Sequence, residues 1–145
     1  MEIRMLRQMG LLSIVGFFGL LAAANAQTAP SATGGTAFDG TYRLKSSTKV
    51  NNMYTAYNGQ MGMCPNRKPS PLHIMGGRVH YTAGTGYRFG GTVGPQGELT
   101  MQSEMIGGSR PARMQASGAI DASGTAHVRQ MGSACSYDFV WQKSS

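Results

Sequence analysis

The sequence predicts an all-β protein, an antiparallel meander of about eight short strands closed into a small up-and-down barrel, with a two-layer β-sandwich as the alternative. Three observations carry this. No window of about 12 residues shows the apolar spacing of a helix. Glycine is abundant, 21 in 145 residues, and recurs at turn positions. The last segment alternates cleanly: Cys135, Tyr137, Phe139 and Trp141 on one face, Ser136, Asp138, Val140 and Gln142 on the other.

Residues 1–26 read as a cleaved signal peptide. Arg4 and Arg7 open it, Leu11 to Leu21 is mostly apolar, and Ala24-Asn25-Ala26 offers small residues before Gln27. Its apolar run falls short of the ~20 residues a membrane span needs. The expected location is periplasmic or secreted, with no transmembrane segment after cleavage. Residues 27–37 (QTAPSATGGTA) hold nothing to bury and read as a flexible leader. Residues 38–145 form one β domain.

Within that domain Asp39-Gly40 is a turn leading into a strand through Tyr42 and Leu44. Gly76-Gly77 is a two-residue hairpin turn between Leu72–Met75 and Arg78–Tyr81. Further strands are expected over 87–93, 99–105, 114–120, 126–131 and 135–142. Two segments repeat at a spacing of 27 residues: Gly91 to Met101 aligns with Gly118 to Val128. Each contains a four-residue turn closing on glycine, Gly97 or Gly124, and reads as a recurring hairpin. The expected core is Tyr42, Leu44, Leu72, Ile74, Val79, Tyr81, Phe89, Val93, Leu99, Met101, Ile120, Val128, Tyr137, Phe139 and Trp141.

Export sets the expectation for Cys64 and Cys135, the only two cysteines: in an oxidising compartment they form a disulfide. Such a bridge would tie the early sheet to its final strand. Of the net charge of +7, Glu2, Arg4 and Arg7 contribute +1, leaving about +6 on the mature chain. The basic residues are scattered, with no run longer than Arg67-Lys68, and nucleic-acid binding wants a clustered stripe. A small molecule or an anionic envelope component is the expected partner; no nucleic acid is, and no cofactor is implied.

Four groups of residues qualify as functional candidates. The segment 49–71 is too long for an ordinary connection, and Tyr54, Tyr57, Arg67 and Lys68 on it suit a ligand or a partner at a barrel mouth. The competing reading makes Tyr54 and Tyr57 part of another strand, with Cys64 pinning a covering loop. Across the Gly76-Gly77 turn, His73 opposes His80 with Cβ atoms about 5 Å apart. That pair would hold a metal or titrate together, His127 being a conceivable third member; the bland reading is two polar residues facing solvent. Met61 and Met63 are soft ligands suited to Cu(I). Set against that, Met101 and Met105 share a strand face with Leu99, and core filling is the ordinary use of methionine. Catalytic motifs are missing: there is no Gly-x-Ser-x-Gly, no His-Glu-x-x-His and no phosphate loop. The expectation is a non-enzymatic binding module. A copper- or zinc-handling protein is the second reading, and an enzyme with a site assembled from distant strands the third.

Phe38-Asp39-Gly40-Thr41-Tyr42, Cys64-Pro65, the Gly91-x-Val93 and Gly118-x-Ile120 hairpins and the terminal Cys135-x-Tyr137-x-Phe139 together resemble small exported β-proteins of gram-negative bacteria. The resemblance implies a compact β fold with a disulfide and brings no activity. The Gly-Thr-Tyr start is also similar to that of streptavidin-like barrels. Here, though, Trp141 stands alone where those have several tryptophans.

Overall fold

The computed structural model describes residues 36–84, 86–105 and 114–145, without the side chains of residues 104 and 105. The segments expected as signal peptide and, for the most part, leader fall outside these residues, as does the Met105 side chain. A 3-10 turn over Thr36–Phe38 precedes ten strands: β1 (Gly40–Lys49), β2 (Met53–Thr55), β3 (Met61–Met63), β4 (Leu72–Met75), β5 (Arg78–Thr82), β6 (Tyr87–Val93), β7 (Glu98–Met105), β8 (Gln115–Ile120), β9 (Thr125–Met131) and β10 (Ser136–Lys143). Eight close into an antiparallel barrel in the order β1-β10-β9-β8-β7-β6-β5-β4, while β2 and β3 form a separate hairpin. The sandwich alternative is thereby set aside.

Alternation along each strand puts one row of side chains inside. In β10, Tyr137, Phe139 and Trp141 are buried, and in β9 Ala126, Val128 and Gln130. The expected core residues are buried except Leu44, which packs against the core half-exposed; Ala83, Ala116 and Ala126 join them. Tyr81 stacks on Phe89 at 4.9 Å between centroids and meets Trp141 at 5.2 Å and Phe139 at 6.2 Å. These rings fill the barrel. Their polar atoms are satisfied: Tyr81 donates to Gln130 Oε1 at 2.8 Å, Tyr42 to the Phe38 carbonyl at 2.7 Å and Trp141 Nε1 to the Ser70 carbonyl at 3.1 Å. Burial accordingly drives the Tyr81 phenol far above its ordinary pKa.

The strands alternate in direction, so the turns after β4, β6 and β8 gather at one end, the turn end. Gly77, Gly97 and Gly124 there adopt positive φ (72°, 90° and 76°), a region that costs other residues 1–2 kcal/mol or so. Each glycine carbonyl accepts a bond from the strand that arrives next: Val93 N to Gly77, Ile120 N to Gly97 and Lys143 N to Gly124, all at 2.9 Å. The 27-residue repeat is the same motif used twice. A Cβ on Gly91 would collide with the Thr100 carbonyl oxygen, and one on Gly118 with that of His127, two collisions 27 residues apart. Both glycines let neighbouring backbones approach where the sheet curls.

Candidate ligand-binding cleft at the disulfide end

The opposite end, the disulfide end, is built differently. A bulge at Lys45 shifts the register of β1, so that Ser47 lies beside Phe139 and Lys49 beside Tyr137. Cys64 to Ser70 crosses this end as a strap. Prolines at 65, 69 and 71 keep it from joining a ladder as a regular strand, so side chains of the wall satisfy its carbonyls. Lys49 Nζ donates to the Cys64 carbonyl at 3.2 Å, Tyr137 to Pro65 at 3.0 Å and Ser47 to Arg67 at 2.7 Å, and Trp141 takes Ser70. The Cys64–Cys135 disulfide, with Cα atoms 5.7 Å apart, fixes the strap to the start of β10.

Asn51 adds a second tie. Its amide donates to the Ala134 carbonyl at 2.8 Å and to the Met53 carbonyl at 3.1 Å, while its oxygen accepts from Ser136 N at 2.8 Å. From this anchor the β2–β3 hairpin projects outward, with Tyr54 folded over Gly62, where any Cβ would strike the ring. Tyr54 is thus in a strand as the competing reading has it, whereas Tyr57 lies in the connecting turn, fully exposed.

Between hairpin, strap and the β9–β10 turn lies an open cleft of about 460 Å³ lined by Tyr54, Met63, Pro65, Arg67, Tyr87, Met114 and Tyr137, with residues 132–135 as its floor. Arg67 sets its guanidinium 6.0 Å from the Tyr137 ring centroid, the only positive charge among the described residues of the lining. The segment 49–71 therefore supplies Tyr54, Met63 and Arg67 to one surface. Lys68 is exposed on the strap near Gly84 and does not line the cleft. Tyr87 and Tyr137 come from the distant strands β6 and β10 and Met114 from the residue before β8, and no local sequence signal marks them as a site.

The other candidates sit elsewhere. His73 and His80 pair across β4 and β5 as the register requires, with stacked rings 5.2 Å apart on the outer wall. Thr41 Oγ1 lies 3.2 Å from His73 Nδ1. Burial, then the Arg88 guanidinium and His73, hold His80 below the ordinary imidazole pKa, an environment that disfavours further positive charge. His127 is not with them; its Nε2 lies 3.7 Å from Asp121 Oδ2. Among the described residues no three His, Cys, Asp or Glu side chains are grouped to hold a metal.

Asp121, Ser123 and His127 look like catalytic company, but the order of contacts is wrong. Ser123 Oγ donates to Asp121 at 2.6 Å rather than to the imidazole, and Ser123 N and Thr125 N donate to the same oxygen at 2.8 and 3.0 Å. Those bonds lower the carboxyl pKa, making a poor base in a solvent-exposed turn. The constellation is turn chemistry. No family model, curated protein or solved structure matches the chain.

Proposed function

We propose that the protein is an exported, non-catalytic binding module, periplasmic or secreted, which engages an envelope protein partner through the cleft and hairpin at its disulfide end. The observation that carries the reading is the contrast between a filled interior and a wet, apolar rim. Aromatic rings occupy the barrel axis, whereas Tyr57, Met53, Met61 and Met63 are exposed on the hairpin that contributes Tyr54 and Met63 to the cleft. Apolar side chains gathered on one small projection are the usual mark of an interaction site. Arg67 beside Tyr137 supplies the aromatic-plus-arginine combination that protein interfaces favour.

A small ligand in the same cleft is the second reading, favoured by its volume of about 460 Å³, within the usual range for ligand sites. Site-specific photocrosslinking in the producing cell tests the choice. A photoreactive residue at Tyr57 should give a discrete protein adduct, lost in the Arg67→Ala variant. The same probe at Thr100, exposed on the outer wall, should give none. Equal adducts at both positions, or none at Tyr57, would sink the partner reading.

A further inference from the structure

Three of the exposed large apolar side chains are methionines on a single face of the β2–β3 hairpin. Met53 is 51 %, Met61 61 % and Met63 74 % exposed, so core filling, the ordinary use of methionine, does not account for them. Leaving such a side chain in water forgoes roughly 1.5–3 kcal/mol of burial each.

The ladder defines their geometry. Met53 pairs with Met63 and Thr55 with Met61. The backbone bonds join the flanking pairs instead: Cys64 N to the Asn52 carbonyl at 2.8 Å and Ala56 N to the Gln60 carbonyl at 2.7 Å. Met53 and Met63 therefore form a non-hydrogen-bonded pair, the kind in which Cα atoms approach to about 4.5 Å and side chains lie closest. Met61 follows two residues along the same face, within reach of a long unbranched side chain. Thr55 Oγ1 donates to Met61 Sδ at 3.4 Å, which orients that thioether and leaves its second lone pair free. On the reverse face Tyr54 covers Gly62.

We propose that Met53, Met61 and Met63 form a thioether site for a soft monovalent cation, Cu(I) or its analogue Ag(I). Three neutral sulfurs select soft ions, and residues 50–68 contain no aspartate or glutamate that would attract a hard divalent ion. No thiolate competes within the chain, because both cysteines are in the disulfide. Thioethers, unlike thiols, also survive disulfide formation in an oxidising compartment. The step is ligand binding only, with no change of oxidation state. It uses the same three exposed methionines as the partner reading but needs neither Tyr54, Tyr57 nor Arg67.

The test uses the intact protein with methionine methyl groups labelled with carbon-13. Titration with Ag(I), and anaerobically with Cu(I) against a chromophoric chelator, should saturate at one ion per chain. The methyl signals of Met53, Met61 and Met63 should shift, while the surface residues Met75 and Met131 and the buried Met101 stay still. Zn(II) should move none of them. Single leucine variants at the three positions should weaken binding by at least about one order of magnitude, and the triple variant should abolish it. An unmoved Met101 methyl in that variant verifies the barrel, and Met75→Leu should bind normally. Non-saturating binding, equal shifts at Met75 and Met131, or undiminished binding by the triple variant would overturn the site. The triple variant keeps Tyr54 and Arg67, so loss of metal and loss of crosslinking at Tyr57 are read separately.

Discussion

The two ends of this barrel solve the same closure problem with different means. At the turn end, backbone closes on backbone: Gly77, Gly97 and Gly124 each hand a carbonyl to the next strand, and Asp39 accepts from Gly76 N and Gly77 N at 2.9 and 3.4 Å. At the disulfide end, side chains close on a strap, across separations of 71 or 72 residues for Trp141–Ser70, Cys64–Cys135 and Tyr137–Pro65. Ladder closure fixes nearly every atom and leaves little to vary. Strap closure fixes a few carbonyls and frees the hairpin above them, so the end that contributes least to the barrel ladder is the one able to carry a binding surface.

The largest effect expected from breaking this contrast is removal of the disulfide. Closing a loop of 71 residues is worth about 4 kcal/mol in the chain-entropy model. The Cys64→Ala, Cys135→Ala double variant should lose close to that amount in urea denaturation. Amide exchange should accelerate first at Cys64 to Ser70 and least at the turn end. A loss below about 1 kcal/mol would mean that the side-chain bonds hold the strap unaided.

Next comes a pair of glycines, one for each region. Gly118→Ala forces a Cβ onto the His127 carbonyl inside the barrel wall and should cost about 3 kcal/mol, since only backbone can give way. Gly59, at the hairpin tip with φ 78°, has nothing within 4 Å. Gly59→Ala should strain only the hairpin, by about 1 kcal/mol, and leave the barrel's melting temperature unchanged. Similar losses of melting temperature in the two variants would show that the hairpin unfolds with the barrel as one unit.

The turn end was legible in the sequence and the disulfide end only partly so, for the same physical reason. Period-two alternation and glycine turns are local signals, and they located all eight barrel strands, the His73–His80 register and the repeated hairpin. Cys64 and Cys135 could be paired because nothing else was available. By contrast, the roles of Asn51, Pro65 and Ser47 depend on partners far along the chain, which no local pattern encodes. Hairpin β2–β3 was concealed because three-residue strands, Met53–Thr55 and Met61–Met63, are too short to display a period. Met61 and Met63 showed as soft ligands, but their cross-strand relation to Met53 needed the register.

The remaining expected effects come from the two side-chain clasps. Asn51 holds the disulfide end through Ala134, Met53 and Ser136, so Asn51→Ala breaks three bonds and leaves the part-buried Ser136 amide unpaired, which should cost about 2 kcal/mol. Asp39 clasps the turn end through the exposed Gly76 amide, which can bond water instead, and through a longer bond to Gly77, so Asp39→Ala should cost about 1 kcal/mol. Exchange rates should rise at Ser136 in the first variant and at Gly76 and Gly77 in the second, with neither change crossing to the far end. The sites are at opposite ends and share no partner, so the double variant should equal the sum within about 0.5 kcal/mol. A larger coupling would mean that the aromatic column of Tyr81, Phe139 and Trp141 transmits strain along the axis, and that the two ends are not independent structures.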